Sequence, residues 1–117
     1  MSDLKILHNP RCSKSRQTLQ LLHDKGHKPQ IIEYLKTPLS AHELTDIIRQ
    51  LGFTSARQLM RKSEVAYRQH NLADPTLHEE TLIGEMLDTP KLIERPIVVF
   101  NGRAAIGRPP ESVLDIL

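Results

Sequence analysis

The chain has 117 residues, of which 38% are hydrophobic and 26% charged, as expected for one ordinary globular domain. Its formal net charge of +2 is too small to indicate a nucleic acid or a membrane surface as a partner. The single cysteine excludes an intramolecular disulfide and fits a reducing compartment. We see no signal peptide, and no segment approaches the roughly 20 apolar residues of a membrane helix, so we expect a cytoplasmic protein.

The first third of the chain has the pattern of a β-α-β unit. Residues 4–8 alternate apolar and polar side chains, which predicts a short strand. Leucines at helical spacing follow Cys12 and predict a helix that stops near Gly26. Residues 29–35 are rich in β-branched side chains and predict a second strand. A helix that crosses between the two strands makes them parallel.

The middle of the chain carries helical signals only. Ser40 with Glu43, and Thr76 with Glu79, have the spacing of capping boxes at the start of two helices. Two shorter helices are predicted between them.

We expect this helical insertion, about residues 37–92, to pack onto the flanking segments. Residues 1–117 are therefore predicted to form a single domain.

The last third of the chain returns to strand signals. Residues 97–100 predict a strand, and Asn101-Gly102 is the strongest short hairpin signal in the chain. Residues 104–107 are its partner strand, and a helix is predicted over residues 109–117 with proline just inside its start. The order β-α-β, helical insertion, β-β-α predicts an α/β fold with a mixed sheet.

Cys12 is predicted at the turn from the first strand to the first helix. Unpaired N–H groups and the positive dipole end favour a thiolate there, and the same groups can cradle a tetrahedral anion. The hydroxyls of Ser13 and Ser15 can donate to the sulfur or to the anion, and a protonated His8 would add positive charge. This pattern indicates a nucleophile that meets an oxyanion. The alternative is a small apolar side chain in the core.

Other thiol chemistries fit the sequence less well. A C-x-x-C redox pair fails because position 15 is Ser15, and a C-x5-R phosphatase loop fails at Thr18. A Cys-His-Asn protease is compatible with the composition, but the short chain leaves little room for a substrate cleft. His23 and His27 are separated by a predicted helix end, so we expect no metal site.

Four stretches of the chain carry motifs in a fixed order. They are HNPRCSKSR (8–16), ARQLMRKSEVAY (56–67), LIERPIVV (92–99) and GRPPESVLDIL (107–117). In this order they resemble the active-site loop H-N-P-x-C-x-x-S-R, an arginine-bearing segment and the two R-P segments of the arsenate reductase family that works with glutathione and glutaredoxin. The resemblance implies a thioredoxin-like fold with an inserted helical region.

The chemistry of that family implies a role for the only cysteine. Cys12 would attack arsenate as a thiolate, glutathione would displace the adduct, and glutaredoxin would reduce the mixed disulfide while arsenite leaves. Glutathione would be a co-substrate, with no bound cofactor. The resemblance thus implies an oxidoreductase of arsenic detoxification that needs one protein cysteine.

The resemblance also implies which residues form the site. Arg61, Arg95 and Arg108 would bind the oxyanion, because planar guanidinium groups donate paired hydrogen bonds to it. His8 would help to lower the pKa of the Cys12 thiol. Three further residues complete the predicted site: Ser15, Arg16 and Pro96.

Ser15 and Arg16 are predicted to bind the substrate at the active-site loop, where Arg16 would also steady the chain. Pro96 takes the position of the cis-proline of thioredoxin-like folds and would shape the site for the thiol ligand. Arg57 and every histidine other than His8 are predicted on the surface.

Two other functions stay open from the sequence. A glutathione-linked thiol oxidoreductase could use the same thiolate on another substrate. Regulators that bind RNA polymerase share the scaffold, although they typically switch through a C-x-x-C pair, which Ser15 removes here.

Overall fold

The computed structural model describes residues 4–117. The prediction of no signal peptide includes residues 1–3, which lie outside this range. The chain divides into two compact units. The sheet unit consists of Met1–Thr37 and Arg95–Leu117, and the helical unit consists of Pro38–Glu94. The helical unit begins one residue later and ends two residues later than the predicted insertion of about 37–92. That the whole chain behaves as a single domain stays a prediction.

The sheet unit contains a four-stranded mixed sheet in the order β2-β1-β3-β4. Strand β1 pairs in parallel with β2 and antiparallel with β3, and β3 pairs antiparallel with β4. This arrangement confirms the mixed sheet that the sequence pattern predicts and is the thioredoxin-like fold that the resemblance implies. The strands are β1 Lys5–Leu7, β2 Gln30–Ile32, β3 Ile97–Phe100 and β4 Arg103–Ile106.

Helix α1, Ser13–Asp24, connects the parallel strands β1 and β2. Its buried residues Ser15, Thr18 and Leu22 are three and four residues apart and so share one face. The C-terminal segment Pro110–Ile116 is a 3₁₀ helix; the helix predicted there is present but is wound more tightly. The core that these elements enclose contains Leu4, Ile6, Leu22, Val98, Val113 and Ile116.

Two turns define the ends of the strands. Asn101 and Gly102 adopt left-handed backbone angles, with φ of 53° and 79°, as a two-residue hairpin requires. This confirms the predicted hairpin. Strand β2 ends at Ile32 rather than at the predicted residue 35, because the Glu33 carbonyl accepts the N–H groups of Lys36 and Thr37 at 2.9 Å each and bends the chain into a turn.

The helical unit packs short helices around apolar side chains. Its α-helices are α2 Ala41–Gln50, α3 Val65–Gln69 and α4 Glu79–Asp88, and Ala56–Leu59 and Pro90–Leu92 are 3₁₀ turns. Among residues 4–117, no helix combines the length and apolar character that crossing a membrane requires. Fully buried side chains of this unit include Leu44, Leu59, Leu72, Leu82, Met86 and Leu92.

One predicted capping box is confirmed. At the start of α2, the Ser40 hydroxyl accepts the Glu43 N–H at 3.1 Å, and the Glu43 carboxylate accepts the Ser40 N–H at 2.9 Å. The two bonds satisfy donors that a helix start leaves unpaired.

The predicted capping box of Thr76 and Glu79 is wrong. Helix α4 begins after His78, and the Thr76 hydroxyl instead donates to Asp74 at 2.7 Å. The Glu79 carboxylate accepts the Ala56 N–H at 2.6 Å. Glu79 therefore caps a distant turn rather than its own helix.

The surface position predicted for Arg57 is also wrong. Arg57 is half-buried, and its guanidinium donates to the carbonyls of Leu72 and Asp74 at 3.1 and 2.7 Å. These bonds satisfy backbone acceptors of the segment that follows α3. Arg57 therefore has a structural role inside the helical unit.

Candidate active site

Cys12 is the N-cap residue of α1, with φ of −95° and ψ of 123°. Its N–H donates to the Asn9 carbonyl at 2.9 Å, and its carbonyl accepts the Arg16 N–H at 3.0 Å. The side chain is 9% exposed. The sulfur therefore stands at the positive end of a twelve-residue helix, as the sequence predicts.

Asn9 organises the loop ahead of the cysteine. Its side-chain carbonyl oxygen accepts the Arg11 N–H, and its own N–H donates to the Ser15 Oγ, both at 3.0 Å. Arg16 Nη1 donates to the Pro10 carbonyl at 2.9 Å, which is the steadying contact expected of Arg16. The loop is thus fixed by short bonds before any ligand binds.

His8 lies beneath this loop and is only 7% exposed. Its Nδ1 is 2.7 Å from the Ser15 Oγ. Burial lowers the pKa of His8; the Glu33 carboxylate acts against this, and Arg16 adds to it. The net pKa lies below the ordinary value. Protonation of His8, the condition under which the sequence gives it a positive charge, is therefore disfavoured at neutral pH.

The contacts of Ser15 also define the tautomer of neutral His8. The Ser15 Oγ accepts the Asn9 N–H, and within residues 4–117 its own proton has no other acceptor than the His8 Nδ1. We therefore assign that proton to the Ser15–His8 bond. The ring proton of His8 then lies on Nε2.

The side chains of Arg95 and Arg108 interact with the Cys12 sulfur within the sheet unit. Arg108 Nη2 is 3.8 Å from Cys12 Sγ, and its Nε donates to the Arg95 carbonyl at 2.7 Å. The Arg95 side chain is half-buried. Its Nε is a buried donor that, among residues 4–117, has no hydrogen-bond partner. The structure therefore brings two of the three predicted arginines together with the cysteine.

The pKa of the Cys12 thiol lies below its ordinary value. Burial acts to raise the pKa, but the Ser15 N–H, the Arg95 guanidinium and the Lys14 N–H together outweigh it. Within the described residues, the Cys12 side chain makes no capping hydrogen bond to the N–H groups of α1. The N–H groups of Ser15 and Lys14 belong to the first turn of α1, where unpaired donors favour the negatively charged thiolate.

Gly107 allows the segment before Arg108 to pack closely against α1. Its N–H donates to the Pro96 carbonyl at 2.9 Å. A side-chain carbon at Gly107 would lie 2.8 Å from the Pro96 ring and would overlap the Thr18 side chain. The Arg95–Pro96 peptide bond is cis, as the resemblance implies at Pro96, and the Arg108–Pro109 bond is cis as well.

Arg61 belongs to the helical unit, where it already faces two carboxylates. Its N–H donates to the Leu92 carbonyl at 2.7 Å. Its guanidinium lies 3.4 Å from Glu64 and 3.7 Å from Glu94. The role of Arg61 toward an oxyanion stays a prediction of the resemblance.

The sequence analysis missed several residues of this site. The sequence patterns assign no role to four of its residues: Asn9, Thr18, Glu33 and Gly107. Thr18 could have been found as the polar residue on the inward face of α1, and Gly107 as the glycine between a strand and an Arg-Pro pair. Among residues 4–117, no group of three or more His, Cys, Asp or Glu residues could hold a metal ion.

Comparison with known proteins shows to which family the chain belongs. The sequence model of the ArsC family matches residues 7–116, which include Cys12, both arginines beside it and Arg61. This chain belongs to the ArsC family. YfgD, an uncharacterized protein of Escherichia coli K12, is 58% identical over 114 residues, which cover 97% of this chain and 96% of YfgD.

Proteins that are named arsenate reductases are also similar to this chain over almost their full length. An arsenate reductase of Neisseria meningitidis is 45% identical over 117 residues, which are 100% of both chains. The solved structure of an arsenate reductase from Vibrio cholerae matches with a TM-score of 0.95 at 52% identity, over 97% of each chain. The ArsC fold thus spans this chain almost completely.

Proposed function

We propose that this ArsC-family protein is an oxidoreductase that reduces arsenate to arsenite through the Cys12 thiolate, with glutathione and glutaredoxin as the source of electrons. The observation that carries the proposal is the sulfur at the start of α1, with its pKa lowered and Arg108 at 3.8 Å. The full-length similarity to a protein named arsenate reductase supports the choice of substrate.

In the first step the Cys12 thiolate attacks arsenic. An S–As bond forms, one As–O bond breaks, and the departing oxygen leaves as water after protonation. The N–H groups at the start of α1, Arg95 and Arg108 would hold the remaining negative oxygens. These donors are in place before the reaction, so little reorganisation opposes the charge that develops on oxygen.

In the second step a glutathione thiolate attacks the Cys12 sulfur. An S–S bond forms, the S–As bond breaks, and its electron pair stays on arsenic, which becomes As(III). A glutaredoxin thiol then reduces the mixed disulfide and restores Cys12. In sum, arsenate and two thiols give arsenite, a disulfide and water.

The proposal explains why one cysteine suffices. Ser15 stands three residues after Cys12 and is hydrogen-bonded to His8, at the place of a second thiol in a C-x-x-C pair. The sulfur adduct must therefore be resolved by a thiol from outside the chain. This is the role that glutathione would have.

A coupled assay tests the proposal. Arsenate, glutathione, glutaredoxin, glutathione reductase and NADPH are combined, and the arsenate-dependent loss of NADPH is followed. We expect turnover with the wild type, and a loss on the order of 10⁴-fold or more with Cys12→Ser, because the nucleophile is removed. Lys28→Met, at an exposed lysine of the same unit, should leave the rate unchanged.

Absence of an arsenate-dependent rate in the wild type would reject arsenate as substrate, provided that the relative from Neisseria meningitidis is active in the same assay. Reduction of a small disulfide by the same protein would then favour the alternative of a thiol oxidoreductase with another substrate. Capture of RNA polymerase that is insensitive to Cys12→Ser would favour a regulator.

A further inference from the structure

A small cavity of about 220 Å³ opens beside the loop that carries Cys12. Ligand pockets for drug-sized molecules usually measure roughly 300–1,000 Å³, so this cavity can take one end of a small peptide rather than all of it. The cavity lies entirely within the sheet unit. Residues that line it include His8, Pro10, Arg11, Glu33, Leu35 and Lys36.

The cavity presents both signs of charge. Arg11 and Lys36 supply two cations, and Glu33 supplies one carboxylate. The Lys36–Glu33 pair is 3.5 Å apart, and its side chains are 78% and 40% exposed. An ion pair this exposed contributes little to stability. A charged ligand can therefore separate Lys36 from Glu33 and pair with each of them at a small cost in free energy.

The wall of the cavity contains a further hydrogen-bond donor. His8 is more than nine-tenths buried and lines the cavity. Its Nδ1 is occupied by Ser15, and its ring proton lies on Nε2, which has no partner within residues 4–117 in this structure. Nε2–H can therefore donate to a ligand oxygen.

From this arrangement we infer that the cavity binds the γ-glutamyl end of glutathione. That end carries an ammonium and a carboxylate on one carbon. The ammonium would pair with Glu33, and the carboxylate would meet Arg11, Lys36 and the Nε2–H of His8. This inference rests on the proposed function, because that function calls for an external thiol beside Cys12.

The distance along the loop suits such a ligand. Arg11 is the residue before Cys12, so their Cα atoms are about 3.8 Å apart. An extended tripeptide spans roughly 10 Å. Glutathione held by its γ-glutamyl end near Arg11 can therefore reach the Cys12 sulfur with its thiol. Leu35, which is 42% exposed, would cover the apolar carbons between the two ends.

Binding of S-methylglutathione, which has no reactive thiol, tests the inference directly. Uniformly ¹⁵N-labelled protein is titrated with it, and amide shifts are followed by NMR. We expect saturable shifts at residues 9–11 and 33–36. Glu33→Gln and Lys36→Met should each weaken binding about tenfold, which corresponds to about 1.4 kcal/mol, and Lys28→Met should leave it unchanged. S-methylcysteinylglycine, which lacks the γ-glutamyl group, should bind at least tenfold more weakly.

Three results would overturn the inference: no saturable binding of S-methylglutathione, shifts that centre elsewhere such as at Pro96, or equal affinity in wild type, Glu33→Gln and Lys36→Met. The test is separate from that of the proposed function. If arsenate is reduced but these variants bind S-methylglutathione normally, only the inference fails. If S-methylglutathione binds as expected but arsenate is not reduced, only the proposed substrate fails.

Discussion

In the sheet unit the guanidinium groups of Arg95 and Arg108 interact with the Cys12 sulfur. In the helical unit the guanidinium group of Arg61 faces two carboxylates instead. Arg108 is 3.8 Å from Cys12 Sγ, and Arg95 helps to lower the pKa of that thiol. Arg61 is 3.4 and 3.7 Å from Glu64 and Glu94, which balance its charge. The same residue type thus helps to lower the pKa of a thiol in one unit and forms ion pairs with two carboxylates in the other.

Among the substitutions that test this contrast between arginines, those of the two arginines beside the sulfur should have the largest effect. Arg95→Gln and Arg108→Gln should each lower kcat/KM for arsenate by about 10²–10³-fold, the usual effect of removing one donor that stabilises charge in a transition state. The coupled NADPH assay measures this. Arg49→Gln, at an exposed arginine of the helical unit, is the matched control. Unchanged kinetics in both variants would remove these arginines from the site.

A smaller effect is expected at the close packing of Gly107. Gly107→Ala should lower the free energy of unfolding by about 1–3 kcal/mol, because the added carbon overlaps the side chains of Thr18 and Pro96. Combining it with Thr18→Ala should recover part of the loss, which urea denaturation can measure. Strictly additive effects of the two substitutions would show that they do not share this contact.

Arg61 provides the matching test in the helical unit. Arg61→Gln should lower the free energy of unfolding by about 1–2 kcal/mol, because it leaves Glu64 and Glu94 without their shared cation in a partly buried place. It should leave the alkylation midpoint of Cys12 unchanged. If Arg61→Gln raises that midpoint, as we expect Arg95→Gln to do, the contrast between the units fails. A raised KM for arsenate would support the role that the resemblance implies for Arg61.

The smallest expected effect is a dependence of stability on pH. The native pKa of Cys12 lies below its ordinary value, so between these two values the unfolded chain binds more protons than the native one. Stability relative to Cys12→Ser should therefore rise as the pH rises through this window, and be lost as the pH falls through the native pKa. Urea midpoints of both proteins across this range measure it; a flat difference would contradict the shift.

Signals that act within a few residues allowed much of the fold to be predicted. The Asn101-Gly102 hairpin, the Ser40 capping box and the position of Cys12 at a helix start all follow from local rules. Glu79 is a residue for which the local capping rule gives the wrong partner. Its spacing from Thr76 suits a local cap, but its carboxylate instead accepts the N–H of Ala56, a contact that only tertiary packing creates.

The candidate site could be predicted in part for the same reason. Cys12, Arg95 and Arg108 come from motifs, and their proximity is a consequence of strand order. The charge of His8 could not be predicted from the sequence, because its burial and its bond to Ser15 depend on the loop that folds over it. The effect of Glu33 on the pKa of His8 could not be predicted either, since the two residues come near each other only when β1 and β2 pair.

Iodoacetamide alkylates a thiolate much faster than a thiol, so its rate against pH shows whether the start of α1 and Arg95 favour the thiolate of Cys12. We predict a midpoint below that of an ordinary cysteine, and a shift toward the ordinary value in Arg95→Gln. His8→Gln should shift the midpoint much less, since His8 is mainly neutral. A wild-type midpoint at or above that of an ordinary cysteine would show that neither the start of α1 nor Arg95 favours the thiolate.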